Sequence, residues 1–387
     1  MFETSEKMKK LPPYLFAEID KKRKQLIAEG HQVISFGVGD PDLPTPERIV
    51  RAMQKAVEDP SVHRYPFGKG RADFRKAIAD YYKKYSDVHL DPDKEICVLI
   101  GSKEGIAHFP FTCINPGDIT LVPEPGYPVY QIGTILAGGI PYLMPIVEQN
   151  HFLPDLSKIP QNVVEKAKIL YLNYPNNPTS ACADIDYLKD VITFCKKHQI
   201  IILYDAAYHE IYFDGKRPVS FLSIPGAKDI GIEIHSLSKT YNMTGWRIGW
   251  ACGNEKLVSA LATLKENIDS GTFEAIQIAG IECLAGPQDD VEEMRKIYQK
   301  RRDVLVEGLK KLKFEVKIPQ ATFYLWLNVK QNSITFAENL LLKAKIIVTP
   351  GVGFGPSGEG YVRFALTVDV EKIKKAIEKM EQAISEV

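Results

Sequence analysis

Lys239 lies in the stretch "IHSLSKTYNMTGWRIGW", with Ser236 and Ser238 just before it and Arg247 eight residues after it. A lone lysine reads as a solvated surface cation. This one follows an apolar, strand-like run, where desolvation and neighbouring cations favour loss of the ammonium proton and leave an amine able to form a Schiff base. The two serines offer hydroxyl donors and Arg247 a guanidinium, a set suited to holding a phosphate through charge-assisted bonds. A phosphate beside an amine-reactive lysine points to pyridoxal phosphate.

That chemistry demands a carboxylate elsewhere, because only a protonated pyridine ring is a strong electron sink. "IIILYDAAYHEIY" supplies Asp205 at the end of the most apolar run, with Tyr208 three residues on. A cap on the following helix is the other reading of Asp205. "GSKEGIAHFPF" passes from an apolar run into a helical pattern, so the amides of Ser102 and Lys103 could face an anion; taken alone it reads equally as a turn. No Walker spacing is present, and no Gly-x-Gly-x-x-Gly follows a strand. His209-Glu210 lacks the second histidine of a zinc helix and the other seven histidines are dispersed, so no metal site is read.

Positioning these groups requires a scaffold. From about residue 95 onward, seven apolar runs alternate with helix-period segments: "EICVLIG", "DITLVPEP", "GIPYLMPI", "KILYLNYP", "QIIILYD", "GIEIHSLS" and "WRIGWACG". Several are apolar on both parities, as in strands covered by helices on both faces, so the class is α/β with a mainly parallel sheet. Turn and polar residues follow the C-terminal ends of these runs, where open α/β sheets bind ligands. After residue 288 come the charged amphipathic "VEEMRKIYQKRRDVLVEGLKKL", the strand-like "FYLWLNV" and "YVRFALT", and a final helix with Val370, Ile373, Ile377, Met380 and Ile384 at helical spacing.

The 387 residues favour two domains, and 45% hydrophobic with 25% charged residues is ordinary for a folded globular protein. Lys plus Arg equals Asp plus Glu at 49 each, which gives no electrostatic case for nucleic acid. Six scattered cysteines without Cys-x-x-Cys suggest reduced thiols in the cytoplasm. The N-terminus has no apolar signal core, and no run reaches the roughly 18 apolar residues of a membrane span.

Together the motifs resemble those of a fold-type I, pyridoxal-phosphate-dependent aminotransferase of class I/II. The resemblance covers nearly the whole chain, from "ISFGVGDPDLPTPE" through "YPFGKG", "GSKEGI", "PEPGYPVY", "YPNNPTS", "YDAAY" and "SLSKTYNMTGWRIG" to "YVRFALT". It implies a seven-stranded, mainly parallel sheet flanked by helices, with a smaller α+β domain. Residues 44–287 would form the large cofactor domain, and 1–43 with 288–387 an N-terminal arm plus the small domain.

By the same resemblance Lys239 forms the Schiff base and moves the proton, Asp205 pairs with the ring nitrogen, Asn177 and Tyr208 bond the ring hydroxyl, and Tyr127 stacks on the ring. Ser102, Lys103, Ser236 and Arg247 hold the phosphate, while Ser238 serves it or only the turn. Tyr65 reaches the cofactor of a neighbouring subunit, which implies a homodimer with shared sites. Arg363 grips the substrate α-carboxylate, with Gly39 and Asn177 beside it; a salt bridge inside the small domain is the other reading of Arg363. Ser180 stands where many relatives have glycine, which puts the local turn in question.

Within the family, "LPPYLFAEIDKKRK", "GSKEGIAHFPF" and "DSGTFEAIQ" resemble the LL-diaminopimelate aminotransferases of lysine biosynthesis. That likeness implies ping-pong amino transfer between the diamino acid and 2-oxoglutarate, with Tyr14 closing over substrate or stapling the first helix. Glu274 is a further residue considered for the substrate's far end. Aspartate or aromatic aminotransferase is the rival within the same scaffold.

Overall fold

The computed structural model describes the backbone of residues 3–11 and 15–385, and the side chains of residues 3–11 and 21–383. Tyr14, expected to touch substrate, lies outside the described residues. Strand β1 (Ile34–Ser35) stands apart from the main sheet. That sheet comprises β2 (Ile96–Leu99), β3 (Ile119–Glu124), β4 (Ile140–Pro145), β5 (Ala167–Asn173), β6 (Ile201–Asp205), β7 (Gly231–Ser236) and β8 (Gly249–Gly253), in the spatial order β2-β8-β7-β6-β5-β3-β4. Each of the seven apolar runs read from the sequence contributes one strand. Only β8 runs antiparallel to its neighbours; the other pairings are parallel.

The apolar character on both parities has the predicted cause. On β5, Ile169 and Tyr171 enter one core cluster, while Leu170 and Leu172 enter the other, and all four are fully buried. The first cluster is closed by helices Ser102–His108, Val129–Leu136 and Glu255–Ile268, and the second by Ala72–Ser86 and Ile185–His198. Each buried aliphatic side chain contributes roughly 1.5–3 kcal/mol. Leu170→Asp would leave a charge without a partner between sheet and helices.

Topology places the chemistry at one end of this sheet. Asn173 closes β5, Asp205 closes β6 and Ser236 closes β7, three adjacent parallel strands ending side by side. Because β7 and β8 are antiparallel neighbours, the loop joining them turns back over that end and carries both Lys239 and Arg247.

A second sheet, order β11-β12-β9, is antiparallel and is formed by β9 (Tyr324–Asn328), β11 (Thr349–Pro350) and β12 (Tyr361–Ala365), while β10 (Ile346–Ile347) pairs with β1. Its register sets Arg363 opposite Trp326 and Ala365 opposite Tyr324. The charged stretch after residue 288 is the helix Asp289–Lys311, acidic in its first turn and basic in its last, as the helix dipole favours. It packs against the final helix, Val370–Ser385, which buries Ile373 and Met380 completely. Residues 36–38 are stitched to this region by Ala365 N–H to Phe36 O (2.8 Å), Thr349 Oγ1 to Gly37 O (2.8 Å) and Thr367 Oγ1 to Val38 O (3.1 Å).

Candidate active site

Lys239 occupies a single helical turn, Leu237–Thr240, that follows β7 directly. Ser236 caps this turn, its Oγ accepting from Ser238 N–H at 3.1 Å. The cap turns the chain sharply, so the Lys239 amine projects into the crevice and donates to Gly39 O at 3.0 Å. Desolvation lowers its pKa to about 8; Arg247 and Arg363 add to that effect, and Asp40 opposes it. A lysine in such surroundings carries an appreciable fraction of free amine near neutral pH.

Asp205 is 4% exposed. Its Oδ2 accepts from Tyr130 Oη at 2.8 Å and its Oδ1 from Ala207 N–H at 3.1 Å. Burial pushes the acid up to about 6 against the opposing pull of these two bonds. Asn173 fixes the strand ends together, donating from Nδ2 to Asp205 O (2.9 Å) and accepting the Asn177 amide at Oδ1 (2.8 Å).

Arg363 is 1% exposed and spans the gap between the two sheets. Its Nη1 donates to Asn177 Oδ1 at 2.7 Å and its Nη2 to Gly37 O at 2.8 Å. The guanidinium lies 4.2 Å from the centroid of the Tyr324 ring and 4.7 Å from that of Phe354, a cation–π sandwich that offsets part of its desolvation. Tyr324 Oη meets Tyr208 Oη at 2.9 Å. A Cβ on Gly39 would collide with the Tyr324 hydroxyl, which is the reason a glycine stands there.

Of the expected phosphate holders, Ser102 lines the crevice and Arg247 reaches the chain just before it. Arg247 adopts a left-handed backbone (φ +57°), donates to Thr244 O at 2.8 Å and reaches Ile100 O at 3.4 Å, beside Ser102. Gly101 (φ +79°) must lack a side chain, since a Cβ would strike the Arg247 guanidinium. Ser236 and Ser238 are buried in the capped turn, and Lys103 is exposed on the helix that opens at Ser102.

A cavity of about 200 Å³ is lined by Gly39, Ser102, Tyr127, Asn177, Asp205, Tyr208, Lys239 and Arg363, all singled out from sequence, together with Tyr130, Asn173 and Tyr324, which were not. Lys103, Ser236, Ser238 and Arg247 are not among its lining residues. Tyr65 is 75% exposed, its ring 6.0 Å from that of the equally exposed Phe67, and it does not line the cavity. Glu274 is tied up in a 2.7 Å ion pair with Arg71. Ser180 takes the left-handed conformation (φ +61°) that a glycine would adopt, so the turn is kept despite the substitution.

The histidines prove less dispersed in space than in sequence. His209, Glu210 and His235 converge in the core. Yet Glu210 Oε1 already accepts from Arg217 at 2.6 Å and from Tyr81, and His235 Nδ1 accepts from Ser236 N–H at 3.0 Å. Cationic charge therefore sits where a metal would. A larger cavity of about 280 Å³, bordered by Glu148, Lys317, Trp326 and Tyr361, contains none of the expected site residues.

An amine, an acid and a buried guanidinium gathered at the carboxyl edge of this sheet define the class: an aminotransferase. The chain belongs to aminotransferase class I and II, whose family model matches residues 31–380. It is 54% identical over 383 residues to the LL-diaminopimelate aminotransferase of Halothermothrix orenii, covering 98% of each chain. The protein of that name from Aquifex aeolicus is 52% identical over 382 residues, with 98% of this chain and 99% of that one covered. Among solved structures, substrate-bound BacF from Bacillus subtilis superposes with a TM-score of 0.95 at 36% identity, covering 99% of this chain and 98% of the other.

Proposed function

We propose that this chain is a pyridoxal-phosphate-dependent LL-diaminopimelate:2-oxoglutarate aminotransferase. The observation that carries the cofactor reading is the shared cavity of Lys239 and Asp205, on adjacent strand ends, with Arg363 facing them. The substrate reading rests on relatives of about half identity over the full chain that bear that name.

The residues present fit the cofactor. A buried carboxylate, an amine of lowered pKa and a tyrosine wall surround one cavity, Ser102 is on its lining, and the Arg247 guanidinium reaches Ile100 O close by in the chain. When bound, the cofactor supplies an aldehyde that condenses with amines and a ring that accepts electron density from the substrate carbon. Asp205 would keep the ring nitrogen cationic, Asn177 and Tyr208 would hydrogen-bond the ring hydroxyl, and Tyr127 would cover the ring. Ser102, Lys103, Ser236, Ser238 and Arg247 would hold the phosphate.

With the cofactor in place, Lys239 Nζ would be the base that takes and holds the proton of the substrate Cα. Arg363 grips the α-carboxylate with Gly39 and Asn177, fixing Cα within reach of Nζ. Residues 44–287 form the cofactor domain in this reading, and 1–43 with 288–387 the arm and small domain. Tyr65, exposed on one copy, completes the phosphate site of a second copy in a homodimer. All six cysteines are free thiols, which supports a cytoplasmic setting; no described helix is long and apolar enough to cross a membrane.

A panel of LL-diaminopimelate, aspartate, tyrosine and alanine as amino donors to 2-oxoglutarate tests the reading. The diamino acid should give the highest kcat/KM. Turnover of aspartate or tyrosine with none of the diamino acid would overturn the substrate assignment and leave the aminotransferase intact.

A further inference from the structure

Two residues near the cavity hold backbone conformations that their side chains disfavour. Ser180 (φ +61°) and Thr322 (φ +65°) are both left-handed and both buried, and Thr322 is the one β-branched residue among the described left-handed positions. A β-branched residue there is a genuine outlier, and such strain persists only where the surroundings over-determine it. Here they do. Ser180 Oγ and Thr322 Oγ1 pair at 2.9 Å, and Ser180 Oγ also lies 2.8 Å from Tyr324 O, to which it can donate.

The two hydroxyls join three segments of the site. Ser180 ends the loop that begins at Asn173 and contains Asn177, a loop braced internally by Ser180 N–H to Asn176 O and by Asn176 N–H to Ala181 O, each 2.9 Å. Thr322 donates its amide to Ile211 O at 2.8 Å, on the segment following Tyr208, and its Oγ1 accepts from Tyr324 N–H at 3.1 Å, at the start of β9. Arg363 depends on both sides of this junction: Asn177 Oδ1 accepts from it on one side, and the Tyr324 ring lies against it on the other.

We propose that Ser180 and Thr322 are positioning residues whose paired hydroxyls hold the Asn177 loop and the Tyr324 strand at the spacing that aims Arg363 at the substrate carboxylate. The inference rests on the aminotransferase reading above and assigns that site a clamp remote from the reacting atoms. A glycine at position 180 would relieve the backbone conformation but lose both contacts. The conformational and hydrogen-bonding roles are therefore separable.

The test uses the cofactor-loaded enzyme. Ser180→Ala and Ser180→Gly should each raise KM for amino and oxo acids by about 10-fold while kcat changes less than about 2-fold, the signature of lost uniform binding. Calorimetric titration with 2-oxoglutarate should show the same rise in Kd. Thr322→Ser, which keeps the hydroxyl, should behave as wild type; if Ser180→Ala fails to fold, Ser180→Gly and Thr322→Ser decide. A Ser180→Gly enzyme with unchanged KM and Kd would reduce the motif to turn geometry and overturn the clamp. A wild-type chain that transfers no amino group to 2-oxoglutarate would instead sink the reading beneath it.

Discussion

Tyr130 donates its hydroxyl hydrogen to Asp205 Oδ2 across 2.8 Å, in a part of the core where both residues are buried. The bond favours the carboxylate and opposes the burial that lifts Asp205 to about 6. Tyr130→Phe leaves burial unopposed on that oxygen, so the acid should hold its proton to higher pH. A hydrogen bond to a charged acceptor, about 1.5–3 kcal/mol, corresponds to an upward move of roughly 1–2 pH units. Infrared titration of the carboxyl band in cofactor-free protein, with Asp205→Asn as the blank, measures it. An unchanged midpoint would mean the hydroxyl does not tune the acid.

Asp205 should also imprint a pH dependence on the cofactor-free fold. Its ordinary value is 3.8 and its folded value about 6, so between those limits the folded chain binds more proton than the unfolded one. Stability therefore falls as pH rises through that window and levels off above it, a cost of roughly 3 kcal/mol for a shift of this size. Asp205→Asn removes the titration. In urea melts its stability relative to wild type should climb from pH 4 to 6 and then stay constant.

Lys239 gives the opposite slope at higher pH. Its pKa falls from 10.5 to about 8, so between those values the unfolded chain binds the extra proton and cofactor-free stability rises with pH across the window. The same free amine controls capture of the aldehyde. The rate of pyridoxal-phosphate binding should reach half its maximum near pH 8, and Lys239→Ala should abolish both the yellow colour and turnover. A variant that keeps colour and turnover would remove the central assignment.

Arg363 is buried between Tyr324 and Phe354 with Asn177 and Gly37 as acceptors, so its planar fork is held before substrate arrives. Arg363→Lys keeps the charge but cannot present two parallel N–H groups or stack between the rings. KM for amino and oxo acids should rise about 10- to 100-fold, matching the loss of one charge-assisted bond, with a smaller change in kcat. Steady-state kinetics with both substrates would show it.

The sheet was legible because its strands are covered on both faces, and a run apolar on both parities, such as Ile169 to Leu172, has few other destinations. Lys239 and Asp205 stood out because polar residues at or just after such runs mark the strand ends where the crevice forms, whereas Gly39 was legible only through the family resemblance. Tyr324 gave no comparable signal: inside "FYLWLNV" it is one aromatic among core aromatics, and only the register of β9 against β12 brings it beneath Arg363. Tyr130 left a fainter trace. It follows Tyr127 by three residues, the spacing that puts two tyrosines on one face of a helix start, but their different tasks depend on which of them reaches the end of β6. Asn173 lies inside the run "KILYLNYP" with nothing to mark it, and its side-chain bond to the end of β6 depends on a parallel neighbour that sequence spacing does not identify.

Tyr65 and Phe67 leave their rings 75% and 77% exposed, an unusual cost for two adjoining aromatics on a lone chain. In the proposed homodimer Tyr65 serves the site of the other copy, which mixing experiments can isolate. Tyr65→Ala homodimers keep Lys239 but lose the donated tyrosine, and Lys239→Ala homodimers keep the tyrosine but have no amine. In a hybrid of the two, one site receives Lys239 from its own chain and Tyr65 from the other. Refolding an equimolar mixture should therefore restore sites of full affinity, at about one quarter of the wild-type site number for random pairing of two chains. Cofactor titration of the mixture checks this directly. If the mixture binds cofactor only as the average of its parents, Tyr65 acts within its own chain or not at all.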